Sequence, residues 1–306
     1  MGVWGDGLYS GDFATDLRTT ICAITRLPFD GDRLVQILSD TEPGPAHNPN
    51  DPDYSIFWLV VADQFAKRGI SNARTLENAL AVIDQGTDLA IHKSLGMPEP
   101  RLARRQKMLL AVRERISNPL APSKPRTTLK KPQPLLMVLG DVLIYPTSNG
   151  HCINSYFSAK EKIPGWKQDG WGAAIIIECG RAFEFLAWYR PLTLVSAVKE
   201  KPTTAALQSF APWVSRRPGT CSTVHFKRME LEKIAKLGLS SEKLRCIFHE
   251  TRPVPYQAIN DISIANELGI GPGSLGWLQT GGKNPLPAAR RPEYIAIPDL
   301  GSLVGG

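Results

Sequence analysis

The side chains that could do metal or thiol chemistry are few and scattered. Five cysteines and five histidines occur in 306 residues, with no C-x-x-C pair and no H-x-x-x-H spacing. His151 and Cys152 are adjacent, but neighbours on a strand point to opposite faces of a sheet. A thiol nucleophile would also need its base beside it in space. The sequence therefore predicts no local zinc site and favours a buried strand cysteine at Cys152.

Nucleotide and acid–base motifs are equally weak. GIGPG at 269–273 contains G-x-G but lacks the later glycine of a dinucleotide fingerprint, and no P-loop, nucleophile elbow or kinase motif occurs. Glu178 and Glu184 flank a predicted hairpin turn and would suit acid–base chemistry as a carboxylate pair. Their alternation fits exposed strand positions better. The sequence therefore predicts no catalytic residue, no metal site and no cofactor, and favours a protein that is not an enzyme.

Composition is that of a globular protein with an uneven charge. Apolar residues make up 42% of the chain and charged residues 21%, with a net charge of +7, which excludes wholesale disorder. Residues 1–63 carry 3 basic and 10 acidic side chains, whereas residues 64–131 carry 14 and 5. The two segments could steer a charged partner, or lie against each other and partly cancel. Without a long apolar run or a leader pattern, we expect a cytoplasmic protein with reduced thiols and no membrane association.

The basic segment, Arg101 to Lys131, is a candidate for nucleic-acid binding, because clustered cations bind phosphate. Base stacking also needs aromatic side chains among the cations, and residues 66–144 contain no Phe, Trp or Tyr. The favoured interpretation is a solvated helix face that leads into a charged linker. Nucleic acid is therefore a disfavoured partner.

The periodicity of apolar residues predicts an α+β protein. Residues 1–118 predict an all-α domain of five or six helices. The first helix is expected to be capped by Asp12. A later, apolar helix over about 53–67 is expected to end at Gly69. Residues 119–134 hold five prolines and predict a basic, extended linker. Residues 135–306 predict a second domain with a small antiparallel sheet or barrel and a few helices, including hairpin turns at 147–150 and 180–181 and a helix at 229–237.

Tryptophans are concentrated near the predicted sheet. Four of the seven lie at 166–213. Aromatic side chains often mark a recognition surface, although packing in a core or hinge is the commoner reason for them. We expect a partner-binding surface of exposed aromatic and charged side chains around this sheet, formed by Trp166, Trp171, Arg181, Glu184, Trp188 and Arg190.

The opening residues, MGVWGDGLYSGDFATD, resemble a bacterial family of unknown function. Its members begin M-G-x-W-G-x-G, followed by an aromatic residue and D-x-A-x-D at the start of a helix. The resemblance covers about the first 90 residues and implies no activity. The matching positions are Gly2, Trp4, Gly5, Gly7, Asp12, Ala14 and Asp16.

The second half resembles the immunity proteins found beside bacterial polymorphic toxins. One such family opens its domain with an apolar strand, G-D-V-x-x-x-P and a turn containing glycine, matched here by Gly140, Asp141, Val142, Pro146 and Gly150. The glycine- and tyrosine-rich continuation of that family is replaced here by HCINSYFSAK. The resemblance implies a stoichiometric, non-enzymatic inhibitor that binds a cognate secreted toxin. The alternatives are another protein-interaction role, an enzyme that reverses a toxin's modification, and a basic nucleic-acid-binding protein.

Overall fold

The chain forms two compact units, Met1–Lys130 and Lys131–Gly306. The computed structural model describes residues 5–118, 126–153, 165–194, 196–207, 213–215, 218–240, 242 and 244, and the backbone of 263–267 and 296–297. Helices come first and a largely antiparallel sheet follows, so the predicted α+β class is confirmed. Among the described residues, no helix combines the length and the apolar character that crossing a bilayer requires.

The first unit contains seven helices between residues 5 and 118. The short helix α3, Pro43–His47, starts with a proline, a residue type that suits the first turn of a helix. Asp12 does not cap α1 as predicted, because Gly11 occupies the cap position and Asp12 is the first helical residue. The helices are α1 Asp12–Ile24, α2 Gly31–Thr41, α3 Pro43–His47, α4 Tyr54–Arg68, α5 Ala73–Asp84, α6 Thr87–Ser94 and α7 Glu99–Ser117.

Helix α4 is the centre of the first unit. It packs against α1, α3, α5 and α7, which explains why its sequence is apolar on nearly every side. Phe57 and Trp58 are both buried and meet edge to face, with ring centroids 5.1 Å apart. Gly69 ends the helix in the left-handed region at φ 64°, as predicted.

The second unit is built on one curled sheet. Its strands run in the order β2-β1-β3-β4-β5-β9, with β7 also paired to β1 and β6 to β4. The pairings are antiparallel apart from β6 with β8. Two short helices, α8 Thr204–Leu207 and α9 Thr223–Arg228, lie between strands. The strands are β1 Asp141–Ser148, β2 His151–Cys152, β3 Gly170–Ala182, β4 Leu186–Leu194, β5 Trp213–Ser215, β6 Gly219–Thr220, β7 Glu232–Lys236, β8 Ser263–Glu267 and β9 Ala296–Ile297.

Both faces of the central strands are buried. Along β1, Leu143 and Tyr145 enter one apolar cluster, and Val142 and Ile144 enter a second cluster on the other face. This follows from the alternation of side chains along a strand. A sheet covered on both faces explains the continuous apolar sequence of β1, where alternation with polar residues is missing.

Two local predictions in the second unit are wrong and one is confirmed. Residues 229–237 were predicted to be a helix, but Glu232–Lys236 form β7, which pairs with β1. The turn predicted at Gly180-Arg181 lies at 183–185, because β3 continues to Ala182. The turn at Asn149-Gly150 is confirmed, with φ angles of 50° and 77° that suit these two residue types.

The described part of the predicted linker is hydrogen-bonded on both sides of the unit boundary. Arg126 donates to the carbonyl oxygens of Thr25 and Phe29 at 2.8 and 2.7 Å, and also to that of Leu27. Residues 126–130 are therefore held within the first unit. Gln133 is held within the second unit by the contacts described below.

Candidate partner-binding site

The hairpin of β3 and β4 ends in a strained turn. The Phe185 amide donates to the Ala182 carbonyl oxygen at 3.1 Å, and the two residues between them, Phe183 and Glu184, have φ angles of 50° and 65°. This turn type normally takes Gly, Asn or Asp, and each bulkier residue in the left-handed region costs roughly 1–3 kcal/mol. We call Phe183, Glu184 and Phe185 the hairpin tip.

Gln133 braces the hairpin next to the tip. Its amide donates to the Phe185 carbonyl oxygen at 2.9 Å, and its own carbonyl oxygen accepts from Arg181 Nε at 2.9 Å. Its side-chain Oε1 accepts from the Ala187 amide at 3.0 Å. Three hydrogen bonds from one residue therefore fix both strands where they enter the turn, which limits the conformations open to the tip.

Three of the predicted partner-binding residues lie at this end of the hairpin. Glu184 and Arg181 are exposed, and Trp188 is half-buried. Trp188 lies over its cross-strand neighbour Gly180, where an added Cβ would approach the indole to 3.0 Å. Since Arg181 lies opposite Ala187, alternation places Arg181 and Trp188 on opposite faces of the hairpin.

Trp166 and Trp171 lie away from the tip. Trp171 is in β3, ten positions before Arg181, which corresponds to roughly 30 Å along an extended strand. Both indoles are half-buried, and Lys201 Nζ lies 5.3 Å from the centroid of the Trp171 ring. The structure therefore does not join these two tryptophans to the surface around the tip.

The prediction that Arg190 is exposed is wrong. Its side chain is 3% exposed, and its Nε donates to the hydroxyl of the buried Ser215 at 3.0 Å. Its NH1 is 3.6 Å from a carboxylate oxygen of Glu178, its cross-strand partner. Arg190 therefore holds β4 to β5 and β3 and is not available to a partner. Glu178 pairs with this arginine and is not grouped with Glu184, which belongs to the turn itself.

The first unit carries an acidic surface made by α1, the start of α3 and the turn before α4. Burial raises the pKa of Glu42, and the charges of Asp53, Asp16 and Asp51 raise it further. Burial and then the charge of Asp51 raise the pKa of Asp53. None of these four carboxylates forms a salt bridge to a described residue. A cation placed among these carboxylates would relieve their mutual repulsion.

The basic segment differs from the predicted solvated helix face. Arg105 is 1% exposed and forms a bidentate pair with the buried Asp88, through Nε and through NH2 at 2.8 Å. Arg104, Arg113 and Arg115 form salt bridges to aspartates of other elements. These four arginines are already matched by carboxylates, which weakens the segment as a phosphate-binding surface.

Cys152 and the GIGPG segment were candidates for chemistry in the sequence. Cys152 is buried in an apolar cluster of the second unit, as predicted, and the GIGPG segment lies outside the described residues. Within the part of the chain that the structure describes, no group of three or more His, Cys, Asp or Glu side chains is placed to hold a metal.

Comparisons with protein-family models, with curated proteins and with solved structures gave no match. The candidate site therefore rests on its geometry alone. The sequence did not indicate Gln133 or the conformation of Phe183, since no local pattern marks a brace that lies about fifty positions from the turn it holds.

Proposed function

We propose that this protein is a non-enzymatic immunity protein that binds and neutralises a cognate secreted bacterial toxin. The hairpin tip is the proposed anchor of the complex. This function combines the resemblance of the second half to immunity proteins with a surface suited to one macromolecular partner. The toxin is occluded, and no bond of the toxin is made or broken by this chain.

The observation that carries the proposal is the braced, strained tip. Phe183 and Glu184 hold φ angles that their residue types disfavour, and Gln133 fixes the strands on either side. Backbone strain of this kind is concentrated at binding and catalytic sites. A tip that is ordered before binding loses less conformational entropy on association, which favours tight complexes.

Aromatic and charged side chains around the tip supply the contact chemistry. Interfaces depend on a few anchors, among which Trp, Tyr and Arg are enriched. Arg181 lies two positions before the tip and Trp188 three positions after it, so a partner that surrounds the tip could contact both faces of the hairpin. The acidic surface of the first unit supports a toxin with a basic surface, because complementary charge speeds association.

The test of this function is co-expression with the protein encoded by the neighbouring gene. We expect that protein to be toxic alone, to be neutralised by this chain, and to co-purify with it in a stoichiometric complex. Neutralisation without a stable complex would indicate an enzyme that reverses the toxin's modification. Failure to neutralise any neighbouring product would overturn the proposal.

Charge reversal at the tip should weaken the complex selectively. We expect Glu184→Lys to raise the dissociation constant for the toxin by about tenfold or more, the effect of losing roughly 1.4 kcal/mol at an interface anchor. Glu200→Lys is the matched control, because Glu200 is also an exposed glutamate of the second unit. If calorimetry gives the two variants equal affinities for the toxin, the tip is not part of the interface.

A further inference from the structure

A cavity of about 260 Å³ lies in the first unit, between the turn at residues 7–11 and the starts of α1 and α4. Its apolar walls include Leu8, Phe13 and Ile56, and its polar lining includes Asp53 and His92. This volume is below the roughly 300–1,000 Å³ of pockets for drug-sized ligands, so it suits one long side chain. The motif residues Gly7, Asp12 and Ala14 also line it.

His92 is a buried polar group of this cavity, as is Arg105. Its side chain is 6% exposed, and its Nε2 lies 3.8 Å from Asp88 Oδ2, beyond hydrogen-bond distance. Burial lowers the pKa of His92, and the charge of Arg105 lowers it further against the opposing effect of Asp88. This lowered pKa favours the neutral ring, in which one nitrogen has a lone pair that can accept a hydrogen bond.

The charge balance of the cavity favours a cation. Arg105 contributes a guanidinium to the lining, but Asp88 already matches it with two hydrogen bonds. Asp53 is half-buried, and its carboxylate makes no hydrogen bond or salt bridge to a described residue. Asp51 and Glu42 add negative charge close to Asp53. A ligand that brings positive charge to Asp53 would relieve the repulsion between these carboxylates.

We propose that this cavity binds the side chain of one arginine presented by the toxin, with its guanidinium on Asp53 and its N–H groups within reach of His92. A guanidinium is planar and has five donors, so it can bond a carboxylate and a ring nitrogen together. Its methylene stem matches the apolar walls. This inference rests on the proposed function and names the chemistry of the partner that the first unit recognises.

The experiment titrates the full chain with N-acetyl-arginine methylamide and follows the His92 ring signals by NMR. N-acetyl-citrulline methylamide is the matched probe, because it has nearly the same shape without the charge. We expect saturable shifts with the arginine probe, at least about tenfold weaker binding of the citrulline probe, and a similar loss in Asp53→Asn. Asp40→Asn removes an exposed carboxylate of α2 and should bind as the parent does.

Three outcomes of the probe titration would overturn the inference: no His92 shift with the arginine probe, equal binding of the two probes, or unchanged probe binding in Asp53→Asn. The toxin complex separates this inference from the proposed function. If Asp53→Asn binds the toxin with parental affinity while Glu184→Lys does not, the cavity is not part of the interface and the immunity function stands. If the arginine probe binds but no neighbouring product is neutralised, the proposed function fails by itself.

Discussion

Asp88→Asn is expected to lower the free energy of unfolding of the first unit by about 3–5 kcal/mol, the usual cost of removing one partner from a buried ion pair. Asp88 and Arg105 are 0% and 1% exposed, so the substitution leaves a guanidinium buried without a counter-charge. Ser55, whose hydroxyl donates to Asp88 at 3.2 Å, keeps a neutral partner but does not replace the lost charge. Urea unfolding of the full chain, with hydrogen exchange of α6 and α7 peptides, measures the loss.

Asp84→Asn is the control for that measurement. Asp84 accepts from Arg113 at 2.8 Å in a pair whose side chains are 50% and 44% exposed, and solvent screening leaves such surface pairs with little effect on stability. Equal losses for the two variants would mean that burial of the Asp88–Arg105 pair carries no energetic weight. A selective loss at Asp88 should also loosen the turn at Gly7, whose carbonyl oxygen accepts from Arg105 NH1 at 3.3 Å.

The arginines of α7 show what charge patterning alone misses. The sequence places a run of cations on one helix and gives no reason to bury any of them. Arg105 is buried because α6 brings a carboxylate to the same place, and that carboxylate is 17 positions away in the chain. A salt bridge between elements depends on how helices pack, which local spacing does not encode.

Helices of the first unit were predictable because amphipathic spacing and glycine stops act locally. Helix α4 and its end at Gly69 were found from their own residues. The exact capping residues were not predictable in the same way. Asp12 was predicted to cap α1, but Gly11 holds that position and Asp12 is the first helical residue. One residue of shift at a cap changes almost nothing in the local pattern.

Short elements of the second unit were the harder part of the prediction. Residues 232–236 have good helix formers, but pairing with β1 makes them a strand. Helix α9 instead begins after Ser222, whose hydroxyl accepts from the His225 amide at 3.1 Å. For runs of about five residues, tertiary pairing decides between helix and strand, and propensity does not.

The candidate site was only partly predictable, because local sequence shows residue types but not the tertiary pairing around them. Aromatic and charged residues near a hairpin could be chosen from the sequence, and Glu184 and Arg181 are exposed there. The position of the turn could not be predicted in this way. Gly180 has the character of a turn residue, but in the structure it makes room for the Trp188 indole. Arg190 could not be separated from Arg181 by pattern, since its burial depends on a serine of β5.

Gly140→Ala should destabilise the second unit by roughly 2–5 kcal/mol. Gly140 has a φ of 83°, where a side chain costs about 1–2 kcal/mol, and its Cβ would come within 2.2 Å of the Leu237 carbonyl oxygen. That oxygen belongs to the backbone, so no rotamer change relieves the clash, and forcing atoms into packed space adds about 1–3 kcal/mol. Urea unfolding, followed by hydrogen exchange of β1 and β7, measures the effect.

Gly165→Ala isolates the steric part of that loss. Gly165 has a φ of 71° and nothing within 4 Å of an added Cβ, so it carries the conformational cost of about 1–2 kcal/mol alone. Equal losses of stability in the two variants would show that the approach of Leu237 does not matter.

A larger loss at Gly140, with toxin affinity retained by the folded fraction, would give the G-D-V motif a structural role. Asp141 fits that role, since its carboxylate accepts from the Val138 amide at 2.7 Å and from Lys233 at 2.7 Å. The G-D-V motif would then stabilise the junction of β1 and β7. The residues that select the partner would be those of the hairpin tip and the acidic surface.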